Sequence, residues 1–245
     1  MSPAPGRLGR RAFLASTAAT LGSLARAQTG DALMAHIVLL GDSVFDNAPY
    51  VARGEEVVEH LRRRLPAGWE ATLLARDGAV LSGVPEQVRR VPAGATHLAV
   101  SAGGNDALGQ TGVFAERAGT VAEALLRLAA IRREFEHRYR VMLDEVLALG
   151  LPTSVCTIYD VRFPDPDLRE VAWTALALLN DVITREAARR GLPILDLRVL
   201  FDEDADFANP IEPSAQGSAK LARGVLGIVG GEAQGACLHA TLPPE

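Results

Sequence analysis

A serine and an asparagine follow directly on two apolar runs, and residues of these types in such positions can carry out acyl transfer. The run His36-Ile37-Val38-Leu39-Leu40 passes straight into Gly41-Asp42-Ser43, and the run ending at Ser101 leads into Gly103-Gly104-Asn105-Asp106. A serine hydroxyl becomes a nucleophile when a neighbour takes its proton. At the start of a strand-to-helix turn it is exposed and surrounded by backbone N–H groups. An asparagine amide aimed into the same crevice can donate to a developing oxyanion. Between the two, Asp77-Gly78-Ala79 follows another short apolar run, and Gly78 can offer its backbone N–H to the same oxygen. Each motif alone is also ordinary turn chemistry, because Gly, Asn, Asp and Ser dominate turns. Together they end three consecutive strands. In a parallel sheet such ends lie along one edge, where open α/β sheets bind ligands.

The elements that must position these residues alternate along the chain. The spacing predicts strands at 36–40, 70–75, 96–101, 154–159 and 193–197. It predicts helices at 54–65, 85–91, 168–190 and 214–229, and a helical region over 115–149 in two pieces, broken at Gly119 and near Ala130. Five strands alternating with helices predict one α/β domain, residues 28–245, built on a five-stranded parallel sheet covered on both faces. The tail after Gly230 reads as a loose extension.

From about His36 to Val229 the chain resembles the SGNH, or GDSL-type, hydrolases. The family's first block matches Gly41-Asp42-Ser43, the second Gly78 and the third Gly103-Gly104-Asn105-Asp106. The resemblance implies a flavodoxin-like three-layer α/β/α sandwich and hydrolysis of a carboxylic ester or acylated small molecule, with no metal and no cofactor. It also implies roles: Ser43 as nucleophile, and Ser43 N–H, Gly78 N–H and the Asn105 amide as oxyanion donors. Asp42, Gly103, Gly104 and Asp106 flank these residues and are expected to contact substrate.

The fourth block departs from the family. Where the family carries Asp-x-x-His before the final helix, this chain reads Asn209-Pro210-Ile211-Glu212-Pro213. A carboxylate can accept a serine proton, but its ordinary pKa of about 4.3 suits neutral pH less well than the value of about 6.5 for His. Burial away from cations would raise it. Asn209 is expected to orient Glu212 through its amide, where an Asp would add a repelling charge. Other histidines are poor substitutes. His36 and His97 begin strands at the far edge of the sheet, His60 and His137 read as solvated helix residues, and His239 lies in the tail. The alternative to an active Ser43–Glu212 pair is a silent domain of this type that binds an acyl or glycan ligand without turnover.

Bulk properties exclude other classes. With 245 residues, 48% hydrophobic, the chain can bury a core without disulfide staples. A net charge of −5 and the lack of a basic stripe argue against nucleic-acid partners. Neither a Gly-x-Gly-x-x-Gly fingerprint nor a Walker lysine is present. The acidic run Asp202-Glu203-Asp204 with Asp206 does not have calcium-loop spacing and reads as a solvated loop. Cys156 reads as a core residue, and whether it meets Cys237 is left open by the sequence. Residues 1–27 read as a twin-arginine signal peptide: Arg10-Arg11, a mild apolar run through Leu24, then Ala25-Arg26-Ala27 as a cleavage site. This predicts a periplasmic or secreted protein. A cytoplasmic protein started at Met34 is the alternative. No stretch of the chain reads as an integral membrane segment.

Overall fold

In the computed structural model of the chain, described over residues 34–231 and 237–238, the apolar runs become strands buried on both faces. The expected signal segment, residues 1–27, and His239 lie outside the described residues. Five strands form a parallel sheet: β1 (His36–Gly41), β2 (Glu70–Leu73), β3 (His97–Ser101), β4 (Thr153–Cys156) and β5 (Ile194–Leu195), in the order β2-β1-β3-β4-β5. Ile37 lies opposite His97 and Gly41 opposite Ser101, so β1 and β3 end level at the edge that carries Ser43 and Asn105. Strand alternation divides the core into two layers. Val38, Leu40, Leu98 and Val100 face one cluster of buried residues, and Ile37, Leu39, Ala99 and Cys156 face the other.

The helices cover both faces. On one side lie α1 (Val57–Arg62) and α7 (Ala215–Val229); on the other lie α2 (Val84–Val88), α4 (Val121–Leu147) and α5 (Pro166–Arg189). Two short helices, α3 (Gly104–Leu108) and α6 (Leu197–Leu200), follow β3 and β5. No helix among the described residues is long and apolar enough to cross a membrane.

Several expectations are corrected. The 115–149 region holds one continuous helix, not two pieces. Gly119 lies outside it, before the N-cap Thr120, whose side chain accepts the Glu123 N–H. Across Ala130 the helix is unbroken. Its buried face (Phe135, Tyr139, Met142, Leu143, Val146) gives way N-terminally to Leu128 and Ile131, which line a cavity. The apolar pattern shifts there because the helix stops packing on protein, not because it breaks. The tail is not wholly loose, since β8 (Cys237–Leu238) pairs antiparallel with β5. A small hairpin, β6 (Phe207–Asn209) with β7 (Glu212–Pro213), was not expected either. Cys156 is a buried free thiol.

Candidate active site

The turn that carries Ser43 is shaped by Gly41. Its φ of +125° is open to glycine, and a Cβ there would fall on the Ser101 carbonyl oxygen of the neighbouring strand. Gln87 of α2 holds both backbone groups of this residue, donating to the Gly41 carbonyl at 2.8 Å and accepting its N–H at 2.7 Å. The Asp42 N–H then bonds the Ser101 carbonyl, and the chain turns back, with Phe45 and Asp46 N–H groups on the Asp42 carbonyl. Ser43 is thus presented just past the strand end, and its own N–H has no partner among the described residues.

Glu212 reaches this serine from the β6–β7 hairpin. The Ser43 hydroxyl donates to Glu212 Oε1 at 3.1 Å, while Oε2 is buried with no partner among the described residues. Two side chains that the sequence reading missed hold the hairpin in place. Tyr159 donates its hydroxyl to the Ile211 carbonyl and packs its ring on Phe201 and Phe207. Asn47, fully buried, donates to the Pro213 carbonyl and Ser218 Oγ and accepts the Val57 N–H. Asn47 ties the serine turn to the glutamate strand through one rigid amide. Asn47→Ala leaves three buried polar groups unpaired, so it is expected to cost about 2–4 kcal/mol in urea unfolding. It is also expected to lower kcat by about tenfold with little change in KM, because a shift of the Ser43–Glu212 geometry acts on the reacting atoms.

The site is acidic, and among the described residues no cation acts on Glu212 or Asp42. Burial, with the Asp77 charge adding to it against the Ser43 hydrogen bond, raises the Glu212 pKa to about 7. Burial also raises Asp42 to about 7, helped by Glu212 and opposed by the Val44 N–H on its carboxylate. Tyr50 donates to Asp77 at 3.0 Å and is pushed up to about 12 by burial, that bond and the Glu212 charge. A carboxyl near 7 is matched to general-base work at neutral pH.

Of the expected oxyanion donors, Ser43 and Asn105 line the cavity and Gly78 does not. Asn105 lines the cavity at Ser43, and its Nδ2 donates to the Ala79 carbonyl at 2.9 Å, which orients the amide and leaves its second N–H. Gly78 sits in an exposed turn with φ +74° and a free N–H among the described residues. That turn is pinned on one side by Asn105 and on the other by Asp46, which accepts the Asp77 N–H at 2.9 Å. The cavity of ≈ 90 Å³ begins at Asp42, Ser43, Gly104, Asn105 and Glu212 and continues into apolar walls from Ile131, Ile158, Phe163, Leu176 and Leu179.

Other expected residues have different work. Asn209 does not orient Glu212. It is exposed, and its Oδ1 accepts the Ile211 N–H at 3.0 Å, closing the hairpin turn locally. Asp106 does not line the cavity. Its carboxylate accepts the Leu81 N–H and the Arg138 guanidinium, tying the chain before α2 to α3 and α4. Gly103 does not line the cavity either; at φ +118° it lets the chain pass Phe135, whose ring a Cβ would meet at 2.9 Å. His60 is buried rather than solvated, with Glu55 Oε2 at 2.9 Å from Nε2 and Arg63 and Arg64 on Nδ1. His36 and His97 bond Thr72 and Thr96 at the strand starts, away from Ser43, and His137 is exposed. Asp206 is fully buried, held by Lys220 at 2.8 Å and by the Glu203 N–H, so part of the acidic loop clamps α7 instead of standing in solvent.

A serine on a strand-end turn, hydrogen-bonded to a buried carboxyl and sharing one cavity with an asparagine amide in a doubly covered parallel sheet, is an arrangement suited to acyl transfer. Residues 39–220 match the model of the GDSL-like lipase/acylhydrolase family. The chain belongs to this family and is an ester hydrolase of the SGNH type. No protein of curated function matches it in sequence. Among solved structures it is similar in fold to an extracellular lipase from Streptomyces rimosus, at 18% identity and TM-score 0.58, over 81% of this chain and 100% of that one. It is also similar to phospholipase A1 from Streptomyces albidoflavus NA297, at 18% identity and TM-score 0.59, over 82% of this chain and 100% of that one. A third is an aryl esterase from M. smegmatis, at 13% identity and TM-score 0.59, over 80% of this chain and 99% of that one.

Proposed function

We propose that the protein hydrolyses a carboxylic ester through an acyl-Ser43 intermediate, with Glu212 as general base in place of histidine. The observation that carries this reading is the Ser43–Glu212 hydrogen bond of 3.1 Å to a carboxyl whose pKa burial lifts to about 7. Ser43 Oγ attacks the ester carbonyl carbon as its proton passes to Glu212. The carbonyl oxygen becomes an oxyanion, received by the N–H groups of Ser43 and Gly78 and the free Asn105 amide hydrogen. Collapse breaks the bond to the leaving alkoxide, which takes the proton from Glu212. Water then attacks acyl-Ser43, gives its proton to Glu212 and releases the carboxylic acid, and Ser43 recovers its hydrogen. The unpartnered Glu212 Oε2 is an acceptor available to that water. The apolar walls beyond Ser43 suit an apolar acyl group.

The base works only as a carboxylate. kcat/KM for a short-chain aryl ester is therefore expected to rise with pH through about 7 and to fall tenfold per pH unit well below it. Ser43→Ala should abolish turnover across the range. A profile flat from pH 5 to 8, or one with an acid limb at an ordinary carboxyl value, would contradict Glu212 as base. Ester turnover by Ser43→Ala equal to wild type would contradict the acyl-Ser43 step. Binding without turnover in the wild type would favour the silent domain.

A further inference from the structure

The helices beside the active site carry apolar walls further than the first cavity needs. That cavity is bounded by Val113, Phe114, Leu128 and Ala175, among others, and the same four residues line a second hollow of ≈ 330 Å³. None of the second hollow's other residues borders the first. The two hollows follow one another along the helices. On α4, Ile131 and Leu128 give way one turn earlier to Ala124; on α5, Leu179 and Ala175 give way one turn earlier to Val171. One helical turn advances about 5.4 Å, so the groove between α4 and α5 continues past the four shared residues toward the helix N-termini. Ala118, Ala124 and Ala175 leave room there that larger side chains would fill. The one cation on its rim among the described residues, Arg127, is already engaged by Glu116 at 2.7 Å and Glu123 at 2.5 Å. The other charge in this lining outside that ion-pair group, Glu170, is exposed, so its carboxylate stays in solvent beside a neutral ligand.

We propose that this second hollow is a distal acyl subsite: it takes the far end of the substrate's own acyl chain after the chain has passed between Phe114, Leu128 and Ala175. The inference rests on the acyl-Ser43 reading for the direction in which the chain runs. Its occupant is a saturated or mono-unsaturated hydrocarbon tail, because the hollow is a continuation of the apolar cavity at Ser43. Chains that stop short of Phe114 use the first cavity alone, so the four shared residues mark a step in chain-length preference.

The test reads binding, so it does not depend on turnover. The full chain carrying Ser43→Ala is titrated calorimetrically with neutral methyl ketones: butanone, octanone and tridecanone. Affinity is expected to rise from butanone to octanone and again to tridecanone, since each buried methylene adds to binding. Adding Thr174→Trp or Val171→Trp, at exposed positions on α5 that line only the second hollow, should weaken tridecanone by about tenfold or more and octanone by far less. Equal weakening of both ketones, no weakening of either, or tridecanone binding no tighter than octanone would overturn the subsite and leave the hollow to another occupant. Ester turnover by the wild type, measured alongside, decides the hydrolase reading separately. Ketone binding of the expected form without turnover would sink that reading and keep the hollow only as a site for a hydrocarbon tail.

Discussion

Glu212→Gln is expected to lower kcat for ester hydrolysis by about 10³-fold, within the 10²–10⁴ that a positioned general base supplies. The substitution keeps the shape of the side chain, so the Ser43 hydroxyl still has an oxygen to donate to. It removes the ability to carry the proton away from Oγ. Because serine and base act as one unit, the double variant Ser43→Ala/Glu212→Gln should be no slower than Ser43→Ala alone. Stability should move the other way. The folded-state pKa of Glu212 lies above its unfolded value, so its contribution is intact below the ordinary carboxyl range and is lost as pH rises through about 7. At pH 8 the wild type holds a buried charge with no cation beside it among the described residues, and Glu212→Gln is expected to be more stable there by about 1–3 kcal/mol. At pH 4 the advantage should vanish. A variant that is less active yet more stable above pH 7 separates a spent catalytic charge from a structural defect. Kinetics and urea unfolding at both pH values measure the two halves.

Gly41→Ala is expected to cost about 4 kcal/mol or more, or to prevent folding at all, which places it among the exceptional substitutions. Two effects combine. The residue sits at φ +125°, where a side chain is strained, and its Cβ would occupy the space of the Ser101 carbonyl oxygen. That oxygen belongs to the central strand pair and accepts the Asp42 N–H, so relief would have to prise β1 from β3 where the nucleophile turn begins. Gly78→Ala is the internal comparison. It also has positive φ, +74°, but nothing lies within 4 Å of the added carbon. Its cost should stay near the 1–2 kcal/mol of left-handed backbone alone. Urea unfolding of both variants tests the difference, and equal costs would show that the close approach to Ser101 does not matter.

The parts of this protein that could be read from sequence are those where one physical demand acts alone. Strands β1 and β3 are continuous apolar runs ended by glycine turns, which is how a strand buried on both faces must look. Ser43 and Asn105 stand out because they lie just past strand ends, and Glu212 because it occupies the fourth block of the resembled family; the fold brings the three to one cavity. Asn209 and Asp106 were misassigned because a side chain of this type in a turn can serve a nearby N–H or a ligand, and only the rotamer decides. Asn209 serves Ile211, and Asp106 serves Leu81 and Arg138. His60 stands among charged neighbours that read as a solvated face, yet Arg63 and Arg64 fold back onto its ring. Strand β8 is two residues long and has no periodicity to detect. Asn47 is a lone amide in a turn sequence, and its three partners lie 10, 166 and 171 residues away.

The central claim is that Glu212 takes the proton of Ser43, and the rate at which a serine-directed fluorophosphonate labels Ser43 tests it without assuming any substrate. Labelling followed by mass spectrometry in the full chain should track the ionisation of one group near pH 7, and Glu212→Gln should label about 10³-fold more slowly at pH 8. Labelling of Ser43 at the same rate in Glu212→Gln and wild type would contradict the claim and send the search for the base elsewhere in the chain.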